Sequence, residues 1–175
     1  MAVYTKINKK DISNINKKFE IDKIISFKGI KQGIENTNYL LRSKNKKFIL
    51  TIFEKRVSQN EIPFFMRLMD QLNNSKINCP KPQKNKNGNY LVRIRKKSAC
   101  IVSFLEGKDK KLLSLKNCHE IGKMIAGMHL STKKINLSRK NSMGIKYLNP
   151  LLNSIKFKSK KFTNIEKFLK INFKD

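Results

Sequence analysis

The sequence predicts an α+β fold in which a small antiparallel sheet carries one packed helix and is followed by helices alone. Three observations lead to this prediction. Short runs rich in isoleucine, leucine and phenylalanine occupy residues 21–27, 37–43 and 47–53. Apolar residues then recur at helical spacing from about residue 60, and beyond residue 111 only helical patterns remain.

The N-terminal part begins with a short helix. Residues 9–20 place Ile12 and Ile15 one turn apart, and either Asp11 or Ser13 is a suitable N-cap. The three strand-like runs follow, joined first by a bend with two glycines and then by a polar turn. The third run is apolar enough to be a central strand.

A helix and a hairpin complete the first part of the chain. The helix begins near Asn60, a plausible N-cap, and Pro63 falls in its first turn, where proline is tolerated. Asn87-Gly88 predicts the tight turn of a hairpin within residues 85–105. The polar stretch 106–111 is the best boundary, and it divides the chain into domains 1–105 and 106–175.

The second part is predicted to be helical. One amphipathic helix covers about residues 114–134. Its apolar face is formed by Cys118, Ile121, Ile125 and Met128. Another covers residues 163–173. The three cysteines, Cys79, Cys100 and Cys118, form no C-x-x-C pair, so they are expected to be reduced thiols in the core rather than disulfides or zinc ligands.

The charge of the chain is extreme but evenly spread. The formal net charge is +28, and only six of the 40 basic residues are arginine. Nucleic-acid-binding proteins favour arginine and concentrate their positive charge in one region. The dispersed lysines of this chain instead favour a solvated surface whose lysine content reflects an AT-rich genome. No apolar stretch approaches the length of a membrane span, and the N-terminus lacks a signal-peptide pattern. A cytoplasmic protein without a membrane partner or a specific nucleic-acid partner is therefore expected.

The bend between the first two strands is a candidate phosphate-binding loop. Backbone N–H groups at Gly29 and Gly33 can approach phosphate oxygens closely, because glycine has no Cβ. Asn36, Thr37 and Asn38 follow and can add hydrogen bonds. Many hairpins contain glycines, and the bend matches neither G-x-G-x-x-G nor the P-loop motif. The element order around it, ending in a linker and a helical part, is nevertheless that of a kinase-like N-lobe.

Several linked segments resemble the homoserine kinases of the aminoglycoside-phosphotransferase-like group. They occur in order within about residues 1–150, as SFKGIKQGIENTNYLL, FILTIFEKRV, PFFMRLMDQL, CPKP, CIVSFLEG and IGKMIAGMHL. This resemblance implies a two-lobed kinase-like fold. It also implies transfer of the γ-phosphoryl group of ATP, with Mg²⁺, to the hydroxyl of L-homoserine during threonine synthesis.

The resemblance also assigns residues to the nucleotide site. Gly33 and Asn36 match the family's G-x-x-N, and Thr51 stands where the wider superfamily usually has a lysine. Lys55 or Arg56 could replace that charge. The linker backbone would meet the adenine, so the full predicted set is Gly29, Gly33, Asn36, Thr37, Asn38, Thr51, Ser103, Phe104 and Leu105.

The catalytic segment that the family carries is not found in this sequence. The string H-x-D-L-x-x-x-N is absent, so no catalytic or metal-binding residue is assigned, and Mg²⁺ ligands are expected beyond residue 175. The resemblance therefore predicts an N-terminal portion that is inactive alone. Two alternatives stay open, another small-molecule kinase of the superfamily and a basic nucleic-acid-binding module, and the oligomeric state is not predicted.

Overall fold

Within residues 3–54 and 58–140, five strands form one antiparallel sheet, accompanied by three helices. The strands are β1 (Ser26–Gly29), β2 (Thr37–Arg42), β3 (Lys47–Ile52), β4 (Leu91–Ile94) and β5 (Lys97–Ser103), arranged in the order β1-β2-β3-β5-β4. The helices are α1 (Lys9–Lys18), α2 (Ile62–Asn74) and α3 (Leu115–Thr132). The predicted adjacency of the first three strands and their antiparallel pairing are confirmed.

The computed structural model describes residues 3–54 and 58–140, together with residues 144, 146, 148 and 150. The chain divides into two compact units, Met1–Leu137 and Ser138–Asp175, and every element named above belongs to the first. The division after residue 105 remains a prediction. Lys55, Arg56 and the predicted helix at 163–173 lie outside the described residues.

One face of the sheet packs against α1 and forms the main core. Alternate residues of β3 point to this face, as the side-chain period of a strand requires. Phe48, Leu50 and Ile52 are at most 5% exposed and lie in one cluster with Ile12 and Ile15 of α1. Each such side chain contributes about 1.5–3 kcal/mol through burial. The first helix was predicted from the sequence, but its packing against this face of the sheet was not.

The opposite face is only partly covered and is called the open face below. α2 packs on it through Ile62 and Met66, which meet Cys100 of β5. The residues between the buried positions of β2 and β3, such as Leu40 and Ile49, remain half-buried. Among the described residues, the open face of β2 and β3 is thus only partly covered.

The first helix is capped one residue before its start. Asn8 accepts hydrogen bonds from the backbone N–H groups of Lys10 and Asp11, while the Asp11 carboxylate accepts from the Asn8 N–H, which is a complete capping box. The prediction of Asp11 or Ser13 as N-cap is wrong. Asp11 instead supplies the reciprocal half of the box and also pairs with Arg95 at 3.0 Å.

The first strand is shorter than predicted and lies further along the chain, and a side chain of α1 pairs with the backbone just before it. The run 21–27 was expected to be a strand, but the strand covers Ser26–Gly29. Asn16 of α1 accepts a hydrogen bond from the Ile24 N–H at 2.8 Å and donates one to the Ile24 carbonyl at 3.1 Å. Local isoleucine content cannot reveal such a contact with a helix.

The hairpin of β4 and β5 turns at a different place from the one predicted. The turn lies at Arg95 and Lys96, whose φ angles are +49° and +65°. Asn87-Gly88 belongs instead to a separate closed turn before β4, in which the Gly88 N–H donates to the Asn85 carbonyl. The prediction failed because positive φ angles, which favour Asn and Gly, are here adopted by two basic residues.

The second helix starts as predicted in one respect only. Pro63 lies in its first turn, as expected, but the cap residue is Glu61 and its side chain makes no capping bond. Asn60 lies in the preceding turn. The helix ends at Asn74, Ser75 is its C-cap, and the next residue, Lys76, adopts φ +60°.

The third helix forms where predicted, but its predicted apolar face is not buried within the described part of the chain. Cys118 is exposed, so the expectation of a core thiol is wrong for this residue, whereas Cys100 is buried and Cys79 is half-buried. Ile121 and Ile125 are 40% and 41% exposed. Among the described helices, none is both long and apolar enough to cross a bilayer.

Candidate nucleotide-binding site

Strand register places two predicted site residues side by side on the open face. Asn38 of β2 pairs with Thr51 of β3, and Thr51 pairs in turn with Cys100 of β5. The Thr51 hydroxyl donates to Asn38 Oδ1 at 2.8 Å. The two side chains thus form a fixed polar pair at the end of the sheet that carries the β1–β2 bend.

The bend itself, residues 30–36, is called the glycine loop. Gly33 adopts φ +102°, and a Cβ added there would meet nothing within 4 Å. Its neighbour Ile34 is 83% exposed. A side chain at position 33 would thus be strained by the backbone alone, whereas glycine adopts this conformation freely and leaves N–H groups accessible.

Gly29 is needed for packing rather than for a turn. It lies at the end of β1 opposite Tyr39, and a Cβ added there would approach Val3 Cγ2 to 3.0 Å. That contact lies on the face of the sheet that holds Tyr39 in the core. A role for Gly29 in nucleotide binding remains a prediction.

The residues at the end of the glycine loop are held by hydrogen bonds to Glu54. Thr37 is fully buried, and its hydroxyl donates to the Glu54 carboxylate at 2.6 Å. Asn36 accepts a weak hydrogen bond from the Glu54 N–H at 3.4 Å. The Thr37 hydroxyl is therefore already engaged, and a role for Thr37 in nucleotide binding remains a prediction.

A cluster of polar side chains behind the loop was not predicted. Glu54, just after β3, receives hydrogen bonds from Thr5, Thr37 and Lys97, and Lys97 also forms an ion pair with it. The Glu54 side chain is only 9% exposed, whereas Lys97 is 40% exposed. These four residues are called the Glu54 cluster.

The environment of Glu54 keeps its carboxylate charged. Burial acts to raise the pKa of Glu54, but the hydrogen bonds from Lys97, Thr37 and Thr5, together with the Lys97 charge, lower it further than burial raises it. The net result is a pKa below the ordinary 4.5. At neutral pH the Glu54 carboxylate is therefore charged, and the Lys97 cation balances its charge within the cluster.

The predicted linker residues lie at the other end of β5. Ser103 pairs with Phe48, and its hydroxyl accepts from the Lys81 N–H at 2.8 Å. Phe104 donates its N–H to the Lys47 carbonyl at 3.2 Å, and its ring lies 5.3 Å from Lys47 Nζ. Leu105 is 41% exposed.

The sheet separates the predicted residues into two groups. Thr37 pairs with Ile52, and Ser103 pairs with Phe48, four residues back along β3. Four residues of strand span about 13 Å. Asn38 and Thr51 therefore lie at one end of the open face, next to Asn36, and the linker lies at the other end. Thr37 lies at the same end of the sheet as Asn38, but its side chain is on the core face.

The part of the chain that contains the sheet and the candidate site also matches a known protein family. Residues 26–152, which include the whole sheet, match the phosphotransferase enzyme family. The chain belongs to this family.

Curated relatives of this phosphotransferase-family chain are named homoserine kinases. Those of Parvibaculum lavamentivorans and Paramagnetospirillum magneticum are 36% and 38% identical to it, over 88% and 89% of its residues and 48% of their own length in each case. The homoserine kinase of Agrobacterium fabrum is 37% identical over 83% of the chain and 45% of its own length. The chain thus spans about half the length of the curated relatives it matches.

Solved structures share the fold of this family member at low sequence identity. A spectinomycin phosphotransferase, solved in complex with ADP and spectinomycin, superposes with a TM-score of 0.60 at 14% identity, over 96% of this chain and 54% of its own. A microcompartment-associated aminopropanol kinase gives 0.62 at 14% identity, over 83% and 49%. These similarities confirm the kinase-like α+β sheet architecture.

The family member offers no ligand set for Mg²⁺ within its described residues. No three His, Cys, Asp or Glu side chains converge in that part of the chain.

Cys100 is not a reactive group, because burial raises the pKa of its thiol to about 12. A cavity of about 750 Å³ lies between α1 and residues 21–27, and its lining includes none of the predicted site residues.

Proposed function

We propose that this chain forms the ATP-binding part of a homoserine kinase, which transfers the γ-phosphoryl group of ATP to the hydroxyl of L-homoserine in threonine synthesis. The observation that carries the proposal is the placement of the glycine loop, Asn38 and Thr51 at one end of the open face, with the linker backbone at the other. The identity of 36–38% to curated homoserine kinases supports this acceptor.

The chemistry of the residues suits this role. The glycine loop would present N–H groups to the phosphate oxygens, because Gly33 adds no side chain between the backbone and the ligand. The amide of Asn38 and the hydroxyl of Thr51 would supply neutral hydrogen bonds beside it. The main chain of Ser103, Phe104 and Leu105 would meet the adenine.

ATP binding by the 175-residue chain is the first test. Titration calorimetry should detect ATP binding, and Gly33→Ala should weaken it by about ten-fold, because the new Cβ meets the phosphates and strains the loop. Gly88→Ala is the matched control, since Gly88 also has a positive φ and open space around it, but lies in a remote turn. A wild-type chain that does not bind ATP would contradict the proposal, as would equal losses in both variants.

Catalysis by this chain alone is expected to be undetectable. The sequence lacks the H-x-D-L-x-x-x-N string that the resemblance predicts for proton acceptance. ADP release that depends on L-homoserine, measured with the purified 175-residue chain and Mg²⁺, would overturn this expectation.

The acceptor can be tested with chimeras. In one, this chain replaces the matched segment of the Parvibaculum lavamentivorans homoserine kinase; in the other, it replaces the matched segment of the aminopropanol kinase. We expect kinase activity only in the first, with L-homoserine as acceptor. Activity only in the second would favour the alternative, another small-molecule kinase of the superfamily.

A further inference from the structure

The N-terminal segment, residues 3–5, contacts the glycine loop and both strands that flank it. Val3 packs against Gly29 at the end of β1. The Tyr4 hydroxyl donates to the carbonyl of Ile34 within the loop at 2.9 Å. The backbone N–H groups of Tyr4 and Thr5 both donate to the Thr37 hydroxyl, at 2.9 and 3.1 Å. One short segment therefore contacts the middle of the loop and the strand residue on each side of it.

The Glu54 cluster joins these contacts into a closed network. The hydroxyls of Thr5 and Thr37 each have one proton to donate, and both donate it to Glu54 Oε1, at 2.7 and 2.6 Å. Lys97 donates to Glu54 Oε2 and, at 2.8 Å, to the Thr5 hydroxyl. Every hydroxyl thus acts as donor and acceptor at once, which leaves no alternative arrangement of the protons.

Contacts from outside the loop matter because two residues at its tip do not help to fix its shape. Gly33 has no side chain, and Ile34 is 83% exposed, so neither packs the loop against the sheet. Glycine adds backbone freedom, and an unsupported loop would lose that freedom on binding a ligand. A loop held in advance binds a phosphate chain with less ordering of the backbone.

We propose that Tyr4 and the Glu54 cluster are positioning residues that hold the glycine loop in the conformation that accepts a triphosphate. This inference rests on the proposed function, since it takes the glycine loop to be the phosphate loop. Neither Tyr4 nor Glu54 belongs to the predicted set of nucleotide contacts, and Glu54 lies behind the loop rather than on the open face. Their effect is transmitted through Ile34, Asn36 and Thr37.

Two variants and one control test this proposal. Tyr4→Phe removes the hydrogen bond to Ile34 from a side chain that is 54% exposed, so it should fold normally. Glu54→Gln removes the charge at the centre of the cluster. Tyr90→Phe is the control, because the Tyr90 hydroxyl donates to the Asp70 carboxylate at 2.6 Å in a contact that touches no part of the loop.

The first readout is hydrogen exchange of the amides of residues 30–37 without nucleotide. We expect at least ten-fold faster exchange in Tyr4→Phe and Glu54→Gln, and no change at these amides in Tyr90→Phe. The second readout is the Kd for ATP, expected to rise three- to ten-fold in the two loop variants alone. Unchanged exchange in Tyr4→Phe overturns the proposal even if Glu54→Gln fails to fold.

The two readouts separate this inference from the proposed function. If the wild-type chain does not bind ATP, the proposed function fails, and with it the claim that the loop is held for a triphosphate. If ATP binds but neither variant changes the exchange or the Kd, the proposed function stands and the positioning role is wrong. Faster exchange together with weaker binding supports both.

Discussion

At the scale of single residues, Glu54 shows how a carboxylate can be kept charged where it is 9% exposed. Desolvation disfavours the charge, and three hydrogen-bond donors, one of which is the Lys97 cation, compensate for it. Removing only one partner of such a set leaves the others desolvated without a bond, which costs about 1–3 kcal/mol. The position therefore matters more for stability than its location just beyond a strand would suggest.

The acid stability of the chain should depend on this residue. The pKa of Glu54 is lowered in the fold, so its contribution is fully present above its ordinary pKa of 4.5 and is lost as the pH falls below that value through the folded pKa. Glu54→Gln should lower the free energy of unfolding by about 1–3 kcal/mol at pH 7. It should also flatten the loss of stability below pH 4.5, as measured by urea unfolding at a series of pH values.

The control for this prediction is Glu106→Gln. Glu106 also pairs with a lysine, Lys47, at 2.7 Å, but its side chain is 75% exposed. Exposed ion pairs contribute little to stability, so this variant should unfold almost as the wild type does. Equal behaviour of the two variants at all pH values would mean that the Glu54 cluster does not stabilise the fold.

At the scale of elements, the end of α2 is a complete Schellman motif built on an unfavourable residue. The Ile77 N–H donates to the Leu72 carbonyl at 3.0 Å and the Lys76 N–H to the Asn73 carbonyl at 2.9 Å. Lys76 must adopt φ +60° to make these bonds. Glycine is the usual residue at this position because it has no Cβ to strain.

Lys76→Gly should therefore stabilise the chain. We expect a gain of about 0.5–1 kcal/mol in the free energy of unfolding, the strain relief being partly offset by greater freedom of the unfolded chain. Asn74→Gly, two residues earlier and inside the helix, should instead lose up to about 1 kcal/mol. Thermal unfolding of the two variants beside the wild type measures both effects, and a loss in both would show that Lys76 is not strained.

Most elements could be predicted from local pattern, because periodicity reports which side of a helix or strand is buried. β2, β3, α2 and α3 lie close to their predicted positions. The errors arose where another part of the chain decided the local structure. Arg95, for example, adopts a positive φ in the hairpin turn while its guanidinium pairs with Asp11, 84 residues away in sequence.

The candidate site was predictable to the same degree. The register brings Asn38 and Thr51 together, as their positions in neighbouring strands allow. The Glu54 cluster was missed because its contacts join residues 17 to 92 positions apart. The one local signal was a charged residue after an alternating strand, at a position that continues the inward side of Leu50 and Ile52.

At the scale of the whole molecule, the dominant property is the net charge of +28. Such a charge attracts any polyanion, whether or not the chain has a site for one. ATP is itself an anion, so binding experiments at low salt would mix specific and non-specific attraction. The two can be separated by their dependence on salt and on the shape of the ligand.

Binding to a random-sequence DNA duplex should therefore be weak, indifferent to sequence and abolished by moderate salt. We expect the affinity to fall by at least 100-fold between 50 and 300 mM salt, because each phosphate contact releases counterions. ATP binding should fall much less over the same range. Fluorescence anisotropy with two unrelated duplexes measures this, and a strong preference for one sequence would favour the nucleic-acid-binding alternative.

The contact between Asn16 and Ile24 also affects how chains can meet one another. Main-chain groups along the outer edge of a sheet can recruit a strand from a neighbouring molecule and so begin aggregation. Beside β1, the amide of Asn16 occupies both the N–H and the carbonyl of Ile24, in the way that an incoming strand would. At Ile24, α1 therefore covers the edge of the sheet, and a second molecule cannot add a strand there because both backbone groups of this residue are already hydrogen-bonded.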